Sequence, residues 1–262
     1  MSYQLFKKDK LFWDENKFLK VTNLLSNEQK RNLSKWCAHL EALPETPRKW
    51  MKYFESGSQK KLCRIENFLD YEQNFFEIAA GENTISLVSQ LMEEKALLFK
   101  EKINVKYPQS SGFSAHQDAP AFIGFNQKYH VTMMVAIDDS IIENGCLRVI
   151  KSNPYKDITL DQEKDGSIKV EIAKKLDWIP IECKAGDVLL FDSYLPHYSK
   201  TNNSNRSRRA AFITYSRASE GKSMRKEYFA DKRDKFPQDC EKIPGKDYSK
   251  GAEIYNVANP IE

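Results

Sequence analysis

One stretch decides the architecture of this chain: Ser111-Gly112-Phe113-Ser114-Ala115-His116-Gln117-Asp118-Ala119-Pro120. Residues two apart in an extended segment point the same way, so His116 and Asp118 offer an imidazole and a carboxylate to one metal ion. A third ligand must come from elsewhere, and the candidate is His197, which follows the strand-like run Asp187-Val188-Leu189-Leu190-Phe191. Two histidines and a carboxylate form the ligand set of non-haem Fe(II) oxygenases, and they also serve catalytic zinc. The pattern therefore predicts a metal site at the mouth of a β-barrel.

A cationic residue downstream of His197 adds a second part to this site. Arg208 begins a strand-like segment that ends at Tyr215, and its even positions share one face. A guanidinium on that face can hold the carboxylate of a bound ligand through two parallel hydrogen bonds. Thr132 and Thr214 are candidate hydroxyl donors to the same carboxylate, although β-branched residues also commonly fill strands without any binding role.

In their order and spacing, these motifs resemble the phytanoyl-CoA dioxygenase family of Fe(II)/2-oxoglutarate-dependent oxygenases. The resemblance covers roughly residues 95 to 217 and includes Glu143-Asn144-Gly145-Cys146-Leu147 and Ala185-Gly186-Asp187-Val188-Leu189-Leu190-Phe191. It implies a mainly β fold with flanking helices, organised as a double-stranded β-helix, which is a cupin-like jelly roll.

The resemblance also implies roles for individual residues. Iron would be bound by His116, Asp118 and His197, and 2-oxoglutarate and O2 would be the cosubstrates. The far carboxylate of 2-oxoglutarate would lie on Arg208, with Lys106 beside it. The expected reaction is hydroxylation of a C–H bond, because a halogenating relative would have a small residue in place of Asp118.

The length of 262 residues and the 40% hydrophobic content suit one oxygenase domain over residues 1–262. We expect a helical N-terminal part over about 1–95, a β-helix core over about 96–217, and a C-terminal extension over about 218–262. The extension is expected to cover the barrel mouth or to mediate dimer contacts. Periodicity predicts helices over 26–43, 83–94 and 224–235, and strands over 97–106, 129–137, 146–150, 168–172, 178–182, 187–191 and 209–216. Residues 48 to 72 are expected to be irregular.

One predicted strand has a strongly cationic face, formed by Lys100, Lys102, Asn104 and Lys106. Two interpretations remain open for it. Lysines often protect the solvated face of an edge strand from aggregation. Alternatively, the same side chains point into the barrel toward bound anions.

The substrate is expected to be small, polar and anionic, with Tyr53, Glu66 and the cationic face as candidate contacts. The segments Lys100-Glu101-Lys102-Ile103-Asn104 and Tyr194-Leu195-Pro196-His197 resemble family members that hydroxylate aminoalkylphosphonates. The ammonium of such a substrate would need a carboxylate, for which Glu55, Glu66 and Glu101 are candidates. The alternatives are an acyl-CoA or amino-acid hydroxylase, a zinc hydrolase, and a catalytically silent β-barrel binding protein.

The amino-acid composition limits the possible partners and the cellular compartment. The 41 basic and 37 acidic residues nearly balance, and no basic run indicates nucleic-acid binding. Five scattered cysteines without a C-x-x-C pair favour a reducing, cytoplasmic compartment. The apolar runs are strand-sized and too short to cross a membrane. We expect a monomer or a homodimer.

Overall fold

The computed structural model describes residues 3–55 and 60–256. The helices in these residues are α1 (Lys7–Asn16), α2 (Asn27–Ala42), α3 (Gln73–Ala80), α4 (Glu82–Met92), α5 (Val170–Ala173), α6 (Arg225–Lys235) and α7 (Ser249–Tyr255). The strands are β1 (Phe18–Val21), β2 (Met51–Phe54), β3 (Leu62–Glu66), β4 (Ala96–Lys106), β5 (Phe113–His116), β6 (His130–Ala136), β7 (Leu147–Ile150), β8 (Trp178–Ile181), β9 (Val188–Asp192), β10 (His197–Ser199) and β11 (Arg208–Arg217).

These strands form two antiparallel sheets. The larger has the order β1-β9-β6-β11-β4-β3-β2, and the smaller has the order β5-β10-β7-β8. Side chains from both sheets, such as Val149, Phe191 and Phe212, share one apolar cluster between the sheets. The opposite face of the larger sheet, with residues such as Met133 and Ile213, packs against the N-terminal helices. The predicted double-stranded β-helix is confirmed.

The position of β4 within the larger sheet shows whether its cationic face is solvated or points into the barrel. Strand β4 pairs with β11 on one side and with β3 on the other, so it is not an edge strand. Lys100, Asn104 and Lys106 are each less than 10% exposed. The interpretation as a solvated edge-strand face is therefore wrong, and these side chains point into the space between the sheets.

Two local predictions are wrong. Residues 48 to 72 are not irregular, because β2 and β3 form an antiparallel pair that joins the larger sheet at β4. Residues 168–172 do not form a strand. Ile168 makes only an isolated bridge with Gln162, and the chain then turns into α5, where the amide of Ala173 donates to the carbonyl of Lys169 at 2.9 Å.

The three predicted helices are present as α2, α4 and α6. Helix α2 begins with the capping box that its sequence indicates. The amide of Gln29 donates to Ser26 Oγ at 3.1 Å, and the amide of Ser26 donates to Gln29 Oε1 at 2.9 Å. In the described ranges, no helix combines the length and the apolar character that a membrane span requires.

Candidate active site

Three potential metal ligands converge where β5 and β10 meet. The two strands pair antiparallel, and His116 at the end of β5 is the direct register partner of His197 at the start of β10. Asp118 follows two residues after His116, with its Oδ1 3.8 Å from His116 Nε2. One ligand atom from each of the three residues lies within 4.8 Å of the other two. The strand pairing thus brings together donors that are about eighty positions apart in the sequence.

Main-chain hydrogen bonds orient both imidazoles. Nδ1 of His116 lies 2.7 Å from the carbonyl oxygen of Ser114, and Nδ1 of His197 lies 2.9 Å from that of Leu195. A carbonyl oxygen only accepts, so each Nδ1 carries the proton and each Nε2 presents its lone pair to the site. Fixing the ring and its tautomer in this way is typical of metal-binding histidines.

The electrostatics of the site favour the protonation states that metal ligands need. Burial, together with the neighbouring His197, lowers the pKa of His116 to about 3. Burial alone would raise the pKa of Asp118, but His197, Lys102 and Lys100 outweigh it and hold this pKa well below its usual value. Neutral imidazoles beside an ionised carboxylate can coordinate a cation without first losing protons.

A pocket leads from these three residues to Arg208, between walls that include Phe113, Leu147, Tyr198, Ser199 and Phe212. Arg208 is only 2% exposed. Its Nη2 donates to the carbonyl of Gly145 at 3.0 Å, whereas its buried Nε has no hydrogen-bond partner among the described residues. Burial lowers the pKa of Arg208 to about 10, so the guanidinium remains charged at neutral pH. A buried cation with an unused donor at the end of a pocket fits an incoming carboxylate.

Two glycines allow the backbone to approach closely around this pocket. Gly145, whose carbonyl accepts from Arg208, has a φ of +74°, and a Cβ there would lie 2.2 Å from the carbonyl oxygen of Lys200. At Gly112, before β5, a Cβ would lie 2.2 Å from the carbonyl oxygen of Ser199. Both positions favour glycine because of the close approach, and Gly145 does so also because of its left-handed φ.

The other three predicted cosubstrate contacts lie outside the walls of this pocket. Lys106 Nζ donates to Ser199 Oγ at 2.9 Å and to the carbonyl of Lys200 at 2.5 Å. Burial and the charge of Arg208 lower the pKa of Lys106 to about 6. The hydroxyls of Thr132 and Thr214 lie 3.0 Å apart and bond to each other. Of the four residues predicted to contact 2-oxoglutarate, Arg208 lines this pocket, whereas Lys106, Thr132 and Thr214 do not.

A second pocket reaches His116 and Asp118 from the other direction. Its sheet wall carries Arg64, Glu66, Lys100 and Lys102, and Lys102 lines both pockets. The register explains this grouping, because Arg64 pairs with Asn104, and Glu66 pairs with Lys102, across β3 and β4. Asn104 lines the first pocket and accepts a hydrogen bond from Arg64 Nε at 3.3 Å.

The second pocket is rich in cations. Glu66 accepts from Lys232 through both carboxylate oxygens at 2.7 Å and from Arg64 at 3.4 Å. Burial would raise the pKa of Glu66, but these two cations and Lys100 lower it to about 2. The pKa values of Lys100 and Lys102 are lowered mainly by burial, and for Lys102 also by Lys100 and Arg64. Such a pocket suits a ligand that brings negative charge.

The sequence model of the phytanoyl-CoA dioxygenase family (PhyH) matches residues 13–210. The chain belongs to this family. It is also 49% identical, over the full length of both chains, to a 2-aminoethylphosphonate dioxygenase of the uncultured bacterium HF130_AEPn_1. A methylphosphonate hydroxylase of Gimesia maris is 37% identical over 86% of each chain. The protein is therefore a dioxygenase of the phytanoyl-CoA dioxygenase family.

Solved structures of similar fold include EctD from S. alaskensis with 2-oxoglutarate and 5-hydroxyectoine. It superposes with a TM-score of 0.71 and 18% identity, over 82% of this chain and 77% of that chain. The nogalamycin-biosynthesis epimerase SnoN, in complex with Fe3+, alpha ketoglutarate and nogalamycin RO, gives a TM-score of 0.69 and 16% identity. That match covers 92% of this chain and 91% of SnoN. At these identities the likeness supports the fold alone.

Among the substrate contacts predicted from the sequence, Lys100, Lys102 and Glu66 line the second pocket of this dioxygenase. Tyr53 lies outside it, with its hydroxyl bonded to the carbonyl of Phe236 at 2.8 Å. Of the carboxylates considered for an ammonium group, Glu101 is engaged by Arg225 at 2.7 and 2.8 Å.

Apart from Gln117 and Ala121, which lie next to the predicted metal ligands, four residues of the second pocket had no assigned role: Arg64, left open between an active-site mouth and a packed surface loop, and Tyr228, Ile254 and Tyr255. Arg64 had a detectable signal, because it lies two positions before Glu66 and shares its strand face. The other three belong to α6 and α7 in the C-terminal extension. No local pattern in that charged and aromatic segment distinguishes them from its other residues.

Proposed function

We propose that this dioxygenase uses Fe(II), 2-oxoglutarate and O2 to hydroxylate a C–H bond of an aminoalkylphosphonate. The observation that carries the proposal is that two pockets meet at His116 and Asp118. One ends at Arg208, whose Nε lacks a partner among the described residues, and the other is lined by cations. A 2-oxoglutarate-dependent hydroxylase needs two such sites beside its metal, one for 2-oxoglutarate and one for the substrate.

The donor set of His116, Asp118 and His197 fits Fe(II), and we assign these three residues as its ligands. When bound, iron and 2-oxoglutarate supply oxygen activation, so that one oxygen atom enters the substrate as a hydroxyl while 2-oxoglutarate becomes succinate and CO2. The main-chain bonds to both Nδ1 atoms hold the ligands in position before the metal binds. This preorganisation reduces the cost of assembling the site.

Arg208 would bind the far carboxylate of 2-oxoglutarate. Its Nε is the available donor, while the bond from Nη2 to the carbonyl of Gly145 keeps the guanidinium in place. Burial strengthens a charge-assisted hydrogen bond at Arg208, because water does not compete for the donor. Asn104 and Ser199 line the same pocket and supply further polar groups.

The phosphonate group would lie among Arg64, Lys100 and Lys102. These residues share the inner face of β3 and β4, beside the proposed iron ligands. A phosphonate brings up to two negative charges and three acceptor oxygens, which match this group of donors. The two relatives named for phosphonate substrates support the same substrate class.

A branched acyl-CoA is a poorer match to this pocket. Its alkyl chain would need an apolar groove, whereas here the buried positions next to the proposed iron ligands are occupied by Arg64, Glu66, Lys100 and Lys102. Burying an alkyl chain against these charged groups would remove water from them without supplying a polar partner in return.

We also infer a cytoplasmic location. All five cysteines carry free thiols in the structure, and four of them are buried. Free thiols are typical of a reducing compartment. Fractionation of the native host cells tests this inference.

The proposal is tested by measuring CO2 or succinate release from 2-oxoglutarate with Fe(II) and one added compound at a time. The compounds are 2-aminoethylphosphonate, its trimethylated analogue, free amino acids and a branched acyl-CoA. We expect the strongest stimulation with 2-aminoethylphosphonate. Stimulation by the acyl-CoA alone would overturn the substrate class, and the absence of any oxygen-dependent succinate formation would overturn the reaction.

A further inference from the structure

The second pocket has a wall formed by residues beyond the part of the chain that the family model matches. Opposite the sheet wall of Arg64, Glu66, Lys100 and Lys102, the pocket is lined by Tyr228 from α6 and by Ile254 and Tyr255 from α7. The family match ends at residue 210, so this C-terminal wall, formed by Tyr228, Ile254 and Tyr255, lies wholly beyond it. The second pocket is therefore completed by the C-terminal extension, beyond the part of the chain that the family model matches.

Helix α6 is fixed to the sheet by two buried ion pairs. Lys232, which is 1% exposed, donates to both oxygens of Glu66 at 2.7 Å. At the start of α6, Arg225 donates to both oxygens of Glu101 and to Asp70 at 3.0 Å. A buried charge pair holds its elements in one arrangement, because separating the partners leaves charges without compensation. Tyr228, on the turn between these two anchors, is thus held at a set distance from the sheet wall.

Helix α7 is fixed in turn to α6. Gly251 lies so close to α6 that a Cβ there would be 1.8 Å from the carbonyl oxygen of Lys235. The hydroxyl of Tyr255 donates to the carboxylate of Asp231, and the ring centroids of Tyr228 and Tyr255 lie 5.6 Å apart. Tyr255 is 6% exposed, whereas Ile254 is 40% exposed, so Ile254 forms the rim of the pocket.

The chemistry of the lining indicates how the far end of a substrate is recognised. The carboxylates that line the pocket are Asp118, a proposed iron ligand, and Glu66, whose oxygens already accept from Lys232. With a phosphonate among the cations of the sheet wall, the amine end would face aromatic rings and the Ile254 side chain. Recognition of the amine end then depends on the space between these side chains and not on an ion pair with a carboxylate.

We propose that Ile254 and Tyr255 are specificity-determining residues, which limit the length of the carbon chain between phosphonate and amine. The inference rests on the proposed function, since it assumes that a phosphonate occupies the pocket. One additional methylene group in a confined pocket typically changes selectivity by about 10-fold or more. The wild-type enzyme should therefore prefer 2-aminoethylphosphonate to 3-aminopropylphosphonate by roughly that factor.

The test compares these two phosphonates with the full-length enzyme containing Fe(II) and 2-oxoglutarate. Both kcat/KM for succinate formation and Kd by anaerobic calorimetry are measured for wild type, Ile254→Ala and Tyr255→Leu. Ile243→Ala is the matched control, because Ile243 is 60% exposed in the same C-terminal extension and does not line the pocket.

We expect Ile254→Ala and Tyr255→Leu each to reduce the preference for the shorter compound about 5-fold or more. The KM for 2-oxoglutarate should stay unchanged, and Ile243→Ala should behave like wild type. An unchanged preference in both pocket variants, with normal circular dichroism, would overturn the inference. Binding of the phosphonates without stimulated succinate formation would overturn the proposed function. The Kd values would then still test whether Ile254 and Tyr255 limit the chain length. If neither phosphonate binds to wild type, both proposals are overturned.

Discussion

His116 and His197 are direct partners across two antiparallel strands, and their ring centroids lie 4.2 Å apart. Each ring is fixed by a bond from its Nδ1 to a main-chain carbonyl, so both Nε2 atoms face the carboxylate of Asp118. The pairing of β5 with β10 thus brings the two histidines together, and Asp118 lies two residues beyond the end of β5. This relationship leads to the first prediction.

His197→Ala should abolish stoichiometric Fe(II) binding, because two remaining donors hold a divalent cation much less tightly than three. The fold should persist, with the free energy of unfolding changed by no more than about 2 kcal/mol. Equilibrium dialysis under anaerobic conditions measures the metal, and urea denaturation measures the stability. His39→Ala is the control, since His39 is exposed on α2. Unchanged metal content in His197→Ala would contradict the ligand assignment.

Arg208→Ala should raise the 2-oxoglutarate concentration needed for half-maximal rate. Loss of a buried charge-assisted contact costs about 2–5 kcal/mol, so the increase should be about 30-fold or more. The control is Arg209→Ala: this neighbouring side chain faces away from the pocket and pairs with Asp138 at 2.7 Å. If Arg209→Ala weakened 2-oxoglutarate binding more than Arg208→Ala, the proposed role of Arg208 would be wrong.

Lys232→Met should destabilise the protein by about 3 kcal/mol, because it leaves the buried Glu66 carboxylate without its main cation. Adding Glu66→Leu should recover much of that loss, although it also alters the lining of the second pocket. Denaturant unfolding measures both effects. Lys235→Met, which removes an exposed pair with Asp231 at 2.7 Å, should cost far less. Equal losses in Lys232→Met and Lys235→Met would refute the view that Lys232 anchors α6.

Asp192 should make stability depend on pH. Burial raises its pKa from 3.8 to about 7 in the folded protein, so between these values the folded state binds the proton more tightly than the unfolded state. Stability from this group is therefore complete below about pH 3.8 and is lost as the pH rises through about 7. Asp192→Asn keeps an oxygen to accept from the Tyr194 amide and should raise stability at pH 8 by up to about 4 kcal/mol.

The check on this prediction is denaturant unfolding between pH 5 and 8 for wild type and Asp192→Asn. The gain should grow with pH up to about 7, the folded-state pKa of Asp192, and then level off. Asp161→Asn, at a side chain that is 75% exposed, should leave the profile unchanged. A constant difference between Asp192→Asn and wild type at all pH values would rule out titration of Asp192 as its cause.

The centre of the site could be predicted from the sequence, because the spacing of residues within one short segment is a local property. His116 ends β5 and Asp118 lies two residues further on, so their short spacing keeps both ligands at the same end of that strand. Alternation along β11 puts Arg208 on one face and Arg209 on the other. The same alternation identified the cationic face of β4. It did not reveal whether that face was buried, because burial depends on β3, whose pairing with β4 is not encoded locally.

The far side of the second pocket was not predictable from local pattern. Tyr228 and Tyr255 line the pocket because the ion pairs of Lys232 and Arg225 fix α6 to the sheet. The partners of these two cations lie more than 120 positions earlier in the chain. The strand predicted over 168–172 failed for a related reason. Its β-branched residues matched a strand, but among the described residues they pair with no strand and form only one bridge, at Ile168.

The central claim is that this dioxygenase couples 2-oxoglutarate decarboxylation to hydroxylation of a phosphonate. The most direct test is to quantify succinate and hydroxylated product together from 2-aminoethylphosphonate, with Fe(II), in the presence and absence of O2. We expect the two products in equal amounts, and neither without oxygen or without 2-oxoglutarate. A hydroxylated product formed without 2-oxoglutarate, or succinate formed with no modified phosphonate, would contradict the claim.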